Sequence, residues 1–309
     1  MNNPQAAIFA EMGQHQWYVH LSRGARTDLD QNDLDQNDLA HIRSMLRQTI
    51  SDCEAKGINL VVGFGPELLA HLGGDVPEDF QKFETISSID GSGKEAIGTQ
   101  EELLLWMNSP RLDDIWETQY DARSALAGHM YVARETITFI YGNSLDMTGF
   151  IDGTGNPKPE EEHQVALVPQ GEAGEGGSFI LAQRWVHDLD GWNQMSLGDQ
   201  EKAIGRTKAD STRLEHQEDY SHLAHVEETE DGRLDEIMRR STPYAFHDGT
   251  VGLYFMAFSR KQEILRNLLD SMYGRDGQPR DKLTDFSNPA SGSYYFAPST
   301  PQLQAMLTG

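Results

Sequence analysis

Asp152 stands in the run Gly149-Phe150-Ile151-Asp152-Gly153-Thr154-Gly155-Asn156-Pro157, among three glycines and a proline. Glycines let a backbone take positive φ or pass close to a flat ligand. The apolar pair before Asp152 places its carboxylate beside a dry surface, where an acid's pKa shifts and proton transfer becomes available. A lone Asp-Gly pair would read as a solvated turn. Of the eleven histidines, the densest group is His216, His222 and His225. His222 and His225 are three apart, so on a helix they share a face and offer imidazoles to a metal. The HExxH spacing of zinc proteases is absent. Further on, Arg239-Arg240-Ser241-Thr242-Pro243-Tyr244 sets two guanidinium groups before a proline-containing turn. They are either a solvated basic pair or charge held over a pocket to stabilise developing negative charge.

The elements that must position these groups are short and mixed. Apolar alternation predicts strands at 7–9, 16–21, 60–64, 103–107 and 136–140, then at 178–186, 252–258 and 292–296. Helical spacing predicts helices at 39–50, 66–72, 115–130 and 261–272. The pattern implies an α+β fold of two tandem ferredoxin-like domains, each an antiparallel sheet packed with helices. Residues 1–143 form the first and 144–309 the second, with the boundary near 141–147. The segments 60–72 and 253–269 both read as strand, short break and amphipathic helix, which suggests an old duplication.

Composition removes several function classes. Against 25 basic residues stand 49 acidic ones, a formal net charge of −24. Such a surface repels phosphate backbones and anionic lipid, so neither nucleic acid nor membrane is an expected partner. Hydrophobic residues make up 38% of the chain, enough for a core. Cys53 is the only cysteine, which excludes an intramolecular disulfide and a thiolate metal cluster, and it reads as a small buried hydrophobe. The N-terminus has no basic start or long apolar run, and a cytoplasmic location is expected. The repeat at 28–40 opens like a calcium loop with Asp28, Asp30 and Asn32. However, Asp33 replaces the needed glycine and Leu39 the closing glutamate, so it reads as an acidic loop capping the next helix. GEAGEGG at 171–177 lacks the Lys-Ser/Thr of a phosphate loop and reads as a turn.

Taken together, GFIDGTGNP (149–157), SHLAHVE (221–227) and RRSTPY (239–244) resemble the dye-decolorising peroxidases, B-type bacterial subgroup. SFILAQRWVHDLDGWN (178–193), IGRTK (204–208), GLYFMAF (252–258) and GSYYFAPS (292–299) resemble further blocks of that family in the same order. The resemblance is dense in the C-terminal half and only in outline in the N-terminal half. It implies a haem peroxidase that reduces hydrogen peroxide through a ferryl intermediate and oxidises dyes, phenols or other small reductants. The cofactor implied is haem b, iron protoporphyrin IX, with His222 as the axial iron ligand. Asp152 and Arg239 would be the catalytic pair on the opposite face. Gly153, Thr154, Arg206, Ser241, Leu253 and Phe255 would contact the cofactor, with Arg206 at a propionate and Leu253 and Phe255 as walls. Asp285 is expected to hydrogen-bond the far nitrogen of His222 and raise its basicity. The family also implies a homo-oligomer, a dimer or larger.

In this reading Asp152 relays a proton between the two peroxide oxygens while Arg239 stabilises the anion. An Asp beside an Arg is expected to have a lowered pKa, which predicts highest activity at acidic pH. A dye is too large for a buried pocket, so electrons would pass through surface aromatics. Trp185, Tyr294 and Tyr295 lie in family-like blocks, though most such aromatics are core residues, and the acidic surface favours cationic donors. Two alternatives stand beside this: a haem-binding or iron-release protein with incidental peroxidase activity, and a histidine-ligated nonhaem metal enzyme.

Overall fold

The computed structural model describes residues 3–23, 35–142, 144–227 and 234–308. Ten of its strands join in one sheet. Numbered in chain order they are β1 (His15–Arg23), β2 (Asn59–Phe64), β3 (Leu103–Ser109), β4 (Met130–Phe139), β5 (Ser178–His187), β6 (Met238–Arg239), β7 (Thr242–Ala245), β8 (Val251–Ser259), β9 (Ser287–Pro289) and β10 (Ser293–Ala297). The order across the sheet is β4-β1-β3-β2-β10-β5-β8-β6, with β9 pairing β5 and β7 pairing β8.

That order contains the same permutation twice. Within 15–139 the first and third strands lie at the centre, flanked by the fourth and second. Within 178–297 the arrangement repeats, with β6 and β7 together supplying the second strand. This is the α+β, ferredoxin-like architecture, and β2 and β10 join the two sets edge to edge through Phe64 and Phe296. The repeat corrects one expectation. The counterpart of 253–269 is β3 with the helix Leu112–Leu126, since both are a third strand followed by the second helix of the unit. The helix Pro66–His71 belongs instead to the excursion between β2 and β3. Strand-break-helix is a local pattern and does not encode its place in the sheet.

Both faces of the sheet are covered, so central strands are apolar on both sides. On β1, Trp17, Val19 and Leu21 face the larger core, which the helices Gln36–Lys56, Leu112–Leu126 and Gln262–Met272 complete. Tyr18 faces the opposite core with Trp106, Tyr254 and Tyr295. Cys53 is buried in the larger core, as its type suggested. In the helix Gln262–Met272, Ile264, Leu265, Leu268, Leu269 and Met272 form one buried stripe.

Two expected elements differ. Residues 7–9 do not form a strand; Ala6–Ile8 is a 3-10 turn that tucks Ile8 into the core. The helix expected to reach Met130 stops at Leu126, because Gly128 turns the chain at φ 98° and Met130 opens β4. Residues 28–34 of the acidic repeat lie outside the described residues. Within it, Asp35 caps the helix Gln36–Lys56 by accepting from the amides of Asn37 and Asp38. No described helix is long and apolar enough to cross a membrane.

Candidate active site

Residues 144–152 double back as a tight hairpin that presents Asp152. Its closure is backbone work: Asp146 N donates to Phe150 O at 2.8 Å, Asp152 N to Ser144 O at 2.9 Å and Gly149 N to Asp146 O at 2.9 Å. Gly149 takes φ 84°, a conformation that favours glycine, while the nearest group to a Cβ there is the movable end of Lys208. The run then returns to the sheet. Asn156 donates to Arg239 O at 3.0 Å and accepts from Arg239 N at 2.8 Å, which ties the loop carrying Asp152 to the strand carrying Arg239.

Arg239 reaches the site through strand register. Ala257 pairs with Arg239 and Tyr254 with Thr242, so Arg239 and Ser241 share a face with Leu253 and Phe255. Arg240 points the other way, donating to Ile8 O at 3.0 Å. Only the first arginine of the pair therefore faces the site. Its Nε is buried and has no hydrogen-bond partner.

His222 opens the five-residue helix His222–Val226. The Asp281 carboxylate, fully buried, accepts from its Nδ1 at 2.7 Å. That bond fixes the ring and leaves the lone pair on Nε2. Asp281 also accepts from Leu283 N at 2.8 Å, capping the turn Lys282–Asp285. The expected partner, Asp285, is instead held by Arg280 at 2.7 Å and Lys282 at 2.8 Å. Of two acids four residues apart, the cations take one and His222 the other.

Asp152, His222 and Arg239 line a cavity of about 890 Å³ walled by Trp185, Leu253, Phe255 and Leu268. A second lobe of about 1100 Å³ shares these three residues and adds Gly153, Thr154, Arg206 and Arg213. Arg206 and Arg213 both pair with Glu227 there. An iron porphyrin is a flat apolar ring with two carboxylates on one edge. One lobe has apolar walls, the other holds arginines, a single imidazole has a free lone pair, and a buried guanidinium nitrogen has no partner. These residues fit that group. Ser241 is placed apart, in a third recess of about 680 Å³ that also meets Asp152, Arg239 and Tyr141.

The structure separates the three histidines. His216 is exposed, and His225 is buried with its Nδ1 3.0 Å from Ser271 Oγ. No group of three or more His, Cys, Asp or Glu side chains among the described residues is arranged to hold a bare metal ion. Trp185, Tyr294 and Tyr295 are all buried, as core aromatics.

Electrostatics corrects a further expectation. Burial pushes the Asp152 carboxyl above its ordinary pKa; Arg239 pulls it down, Asp146 pushes it up again, and the net shift is upward. Desolvation outweighs the arginine. Asp146 moves the other way. Burial raises it, but hydrogen bonds and charge from His187, with bonds from Thr148, leave it below the usual value.

The chain is similar to known proteins in sequence and in fold. The family model described as Dyp-type peroxidase, C-terminal, matches residues 143–302. A dye-decolorizing peroxidase of Rhodococcus erythropolis is 29% identical over 271 residues, covering 84% of this chain and 78% of that one. The solved dye-decolorizing protein from V. cholerae superposes with a TM-score of 0.85 at 32% identity, over 98% of this chain and 99% of that chain. A variant of Rhodococcus jostii RHA1 DypB in complex with heme superposes at 0.87 with 25% identity, over 98% of each chain.

Proposed function

The chain belongs to the Dyp-type peroxidase family and is a haem peroxidase; from that premise we propose that His222 holds the haem, that Asp152 and Arg239 act on peroxide at the opposite face, and that a small reductant such as a dye or phenol supplies the electrons. The observation that carries this reading is the shared cavity wall: an imidazole fixed by Asp281, and a carboxylate beside a guanidinium.

When bound, haem supplies the iron that binds peroxide and stores its oxidising equivalents. The protein's own groups manage protons and charge. Asp152 takes a proton from one peroxide oxygen and returns it to the other, so that water leaves. Arg239 faces the anion formed in between, with its backbone fixed by Asn156. Asp281 keeps the Nδ1 proton of His222 and strengthens Nε2 as a donor to iron. Arg206, freed from Glu227, would meet a propionate, and Leu253 and Phe255 would lie against the ring. The recess at Tyr141 and Ser241 gives peroxide and small reductants a way to Asp152 and Arg239.

Reconstitution with haem tests the reading. The parent should show an intense Soret band that changes on adding peroxide, and should turn over a phenol or dye far faster than free haem. His222→Ala should retain haem weakly and lose the normal spectrum. An unchanged spectrum in that variant would refute His222 as ligand. Loss of iron from an intact porphyrin would favour the iron-release alternative.

A further inference from the structure

A hydrogen-bonded chain lies at the edge of the cavity and has no part in the peroxide chemistry above. His187, the last residue of β5, has Nε2 3.0 Å from Asp146 Oδ2 and Nδ1 2.8 Å from Ser287 Oγ. The two ring nitrogens thus join the Asp146 carboxylate to the Ser287 hydroxyl. His187 and Asp146 are well shielded, their side chains 5% and 13% exposed. The other Asp146 oxygen accepts from Thr148 N at 2.9 Å and Thr148 Oγ1 at 2.6 Å, and so closes the turn. Asp146, His187 and Ser287 all line the lobe that holds Asp152 and His222.

We propose that Asp146, His187 and Ser287 form a positioning device for Asp152: the imidazole bolts the hairpin to the sheet, and the Asp146 carboxylate supplies a fixed negative charge that sets the protonation of Asp152. The hydrogen bonds give the pin, and the Asp146 and Asp152 side chains line the same lobe. Asp146 N and O and Ser144 O close the hairpin whose end is Asp152, so a pin at Asp146 fixes the carboxylate six residues later. The charged and titratable groups acting on Asp152 are Arg239 from the strand, His222 from the facing helix and Asp146 from the hairpin itself. Lys208 is directed elsewhere, to Gln200 at 3.1 Å and over the Phe150 ring. Of these groups, Asp146 alone favours the neutral acid. Ser287 follows the Lys282–Asp285 turn that Asp281 caps, so the same chain ties the Asp152 hairpin to the segment that orients His222.

The idea deepens the reading of Asp152 as proton carrier, but its test does not depend on turnover. Protein carrying [4-¹³C]aspartate and reconstituted with diamagnetic zinc protoporphyrin is titrated by NMR, with the Asp152 signal assigned by Asp152→Asn. Asp146→Asn should lower the Asp152 midpoint by on the order of one pH unit, since a like charge has gone. His187→Gln keeps that charge and should not lower it, but should speed hydrogen exchange at the Gly149 and Asp152 amides. An unchanged midpoint in Asp146→Asn, or a downward shift in both variants alike, would overturn the charge role. Unchanged exchange in His187→Gln would overturn the pin, and that measurement stands if Asp146→Asn does not fold.

Discussion

The two halves of the sheet share one strand permutation but fill the space beside it differently. In the first half, the connection after β1 is the helix Gln36–Lys56, whose Leu39, Ile42, Met45 and Leu46 fill the core. In the second, the connection after β5 is broken into Leu189–Gln194, Leu197–Ile204 and His222–Val226, with a cavity beneath. The helix Gln262–Met272 remains and walls that cavity with Leu268, Leu269 and Met272. One long helix buries apolar surface; three short ones leave room and bring an imidazole to face it. Function here comes from what replaces a helix on a fold that alone implies none.

The sharpest test of the contrast lies in the second half. Asp152→Asn should slow the reaction with peroxide by ~10²–10⁴-fold if Asp152 is the main relay. Arg239→Leu should slow it by ~10²–10³-fold. A near-normal Asp152→Asn rate would move the burden to Arg239 and a bound water. The pH profile follows from the upward shift of Asp152. As the group that must accept the first proton, Asp152 works ionised. The rate should therefore climb as pH rises through its raised pKa and fall below it, the reverse of the acidic optimum expected from Arg239 alone. Stopped-flow rates measured from acid to neutral pH check the sign.

Smaller effects come from groups behind the site. Asp281→Asn should weaken haem retention or peroxide reactivity by ~10–100-fold, the usual effect of removing a carboxylate behind a metal-bound histidine. Asp285→Asn should change neither, since its partners are Arg280 and Lys282. A larger loss in Asp285→Asn than in Asp281→Asn would reverse the assignment. Sequence alone pointed to the wrong acid here, because two aspartates in RDKLTD offer no clue to which one a turn caps and which the cations hold. Strands such as β1, β3 and β8 were legible as short apolar runs, which burial on both faces of a central strand demands. Asp152, His222 and Arg239, which line one cavity, could be picked out because each sits in a distinctive block. Asp146 and His187 were not, since their contact spans 41 residues of sequence. The direction of the Asp152 shift was misread for a related reason: the arginine is visible in sequence and the burial is not.

The least effect on chemistry should come from the half where the helix was kept. Ile42 is fully buried between the helix Gln36–Lys56 and the sheet. Truncation to alanine leaves a cavity there, and such changes destabilise by about 2–5 kcal/mol. Ile42→Ala should therefore unfold at lower denaturant concentration. The surviving folded protein should show the parent's Soret spectrum and the parent's peroxide rate per bound haem, because none of the described first-half core residues lines either lobe. The halves do meet, through the β2–β10 edge. If Ile42→Ala lowered the rate per haem as well as stability, strain would be crossing that seam, and the first half would be tuning the cavity as well as supporting it.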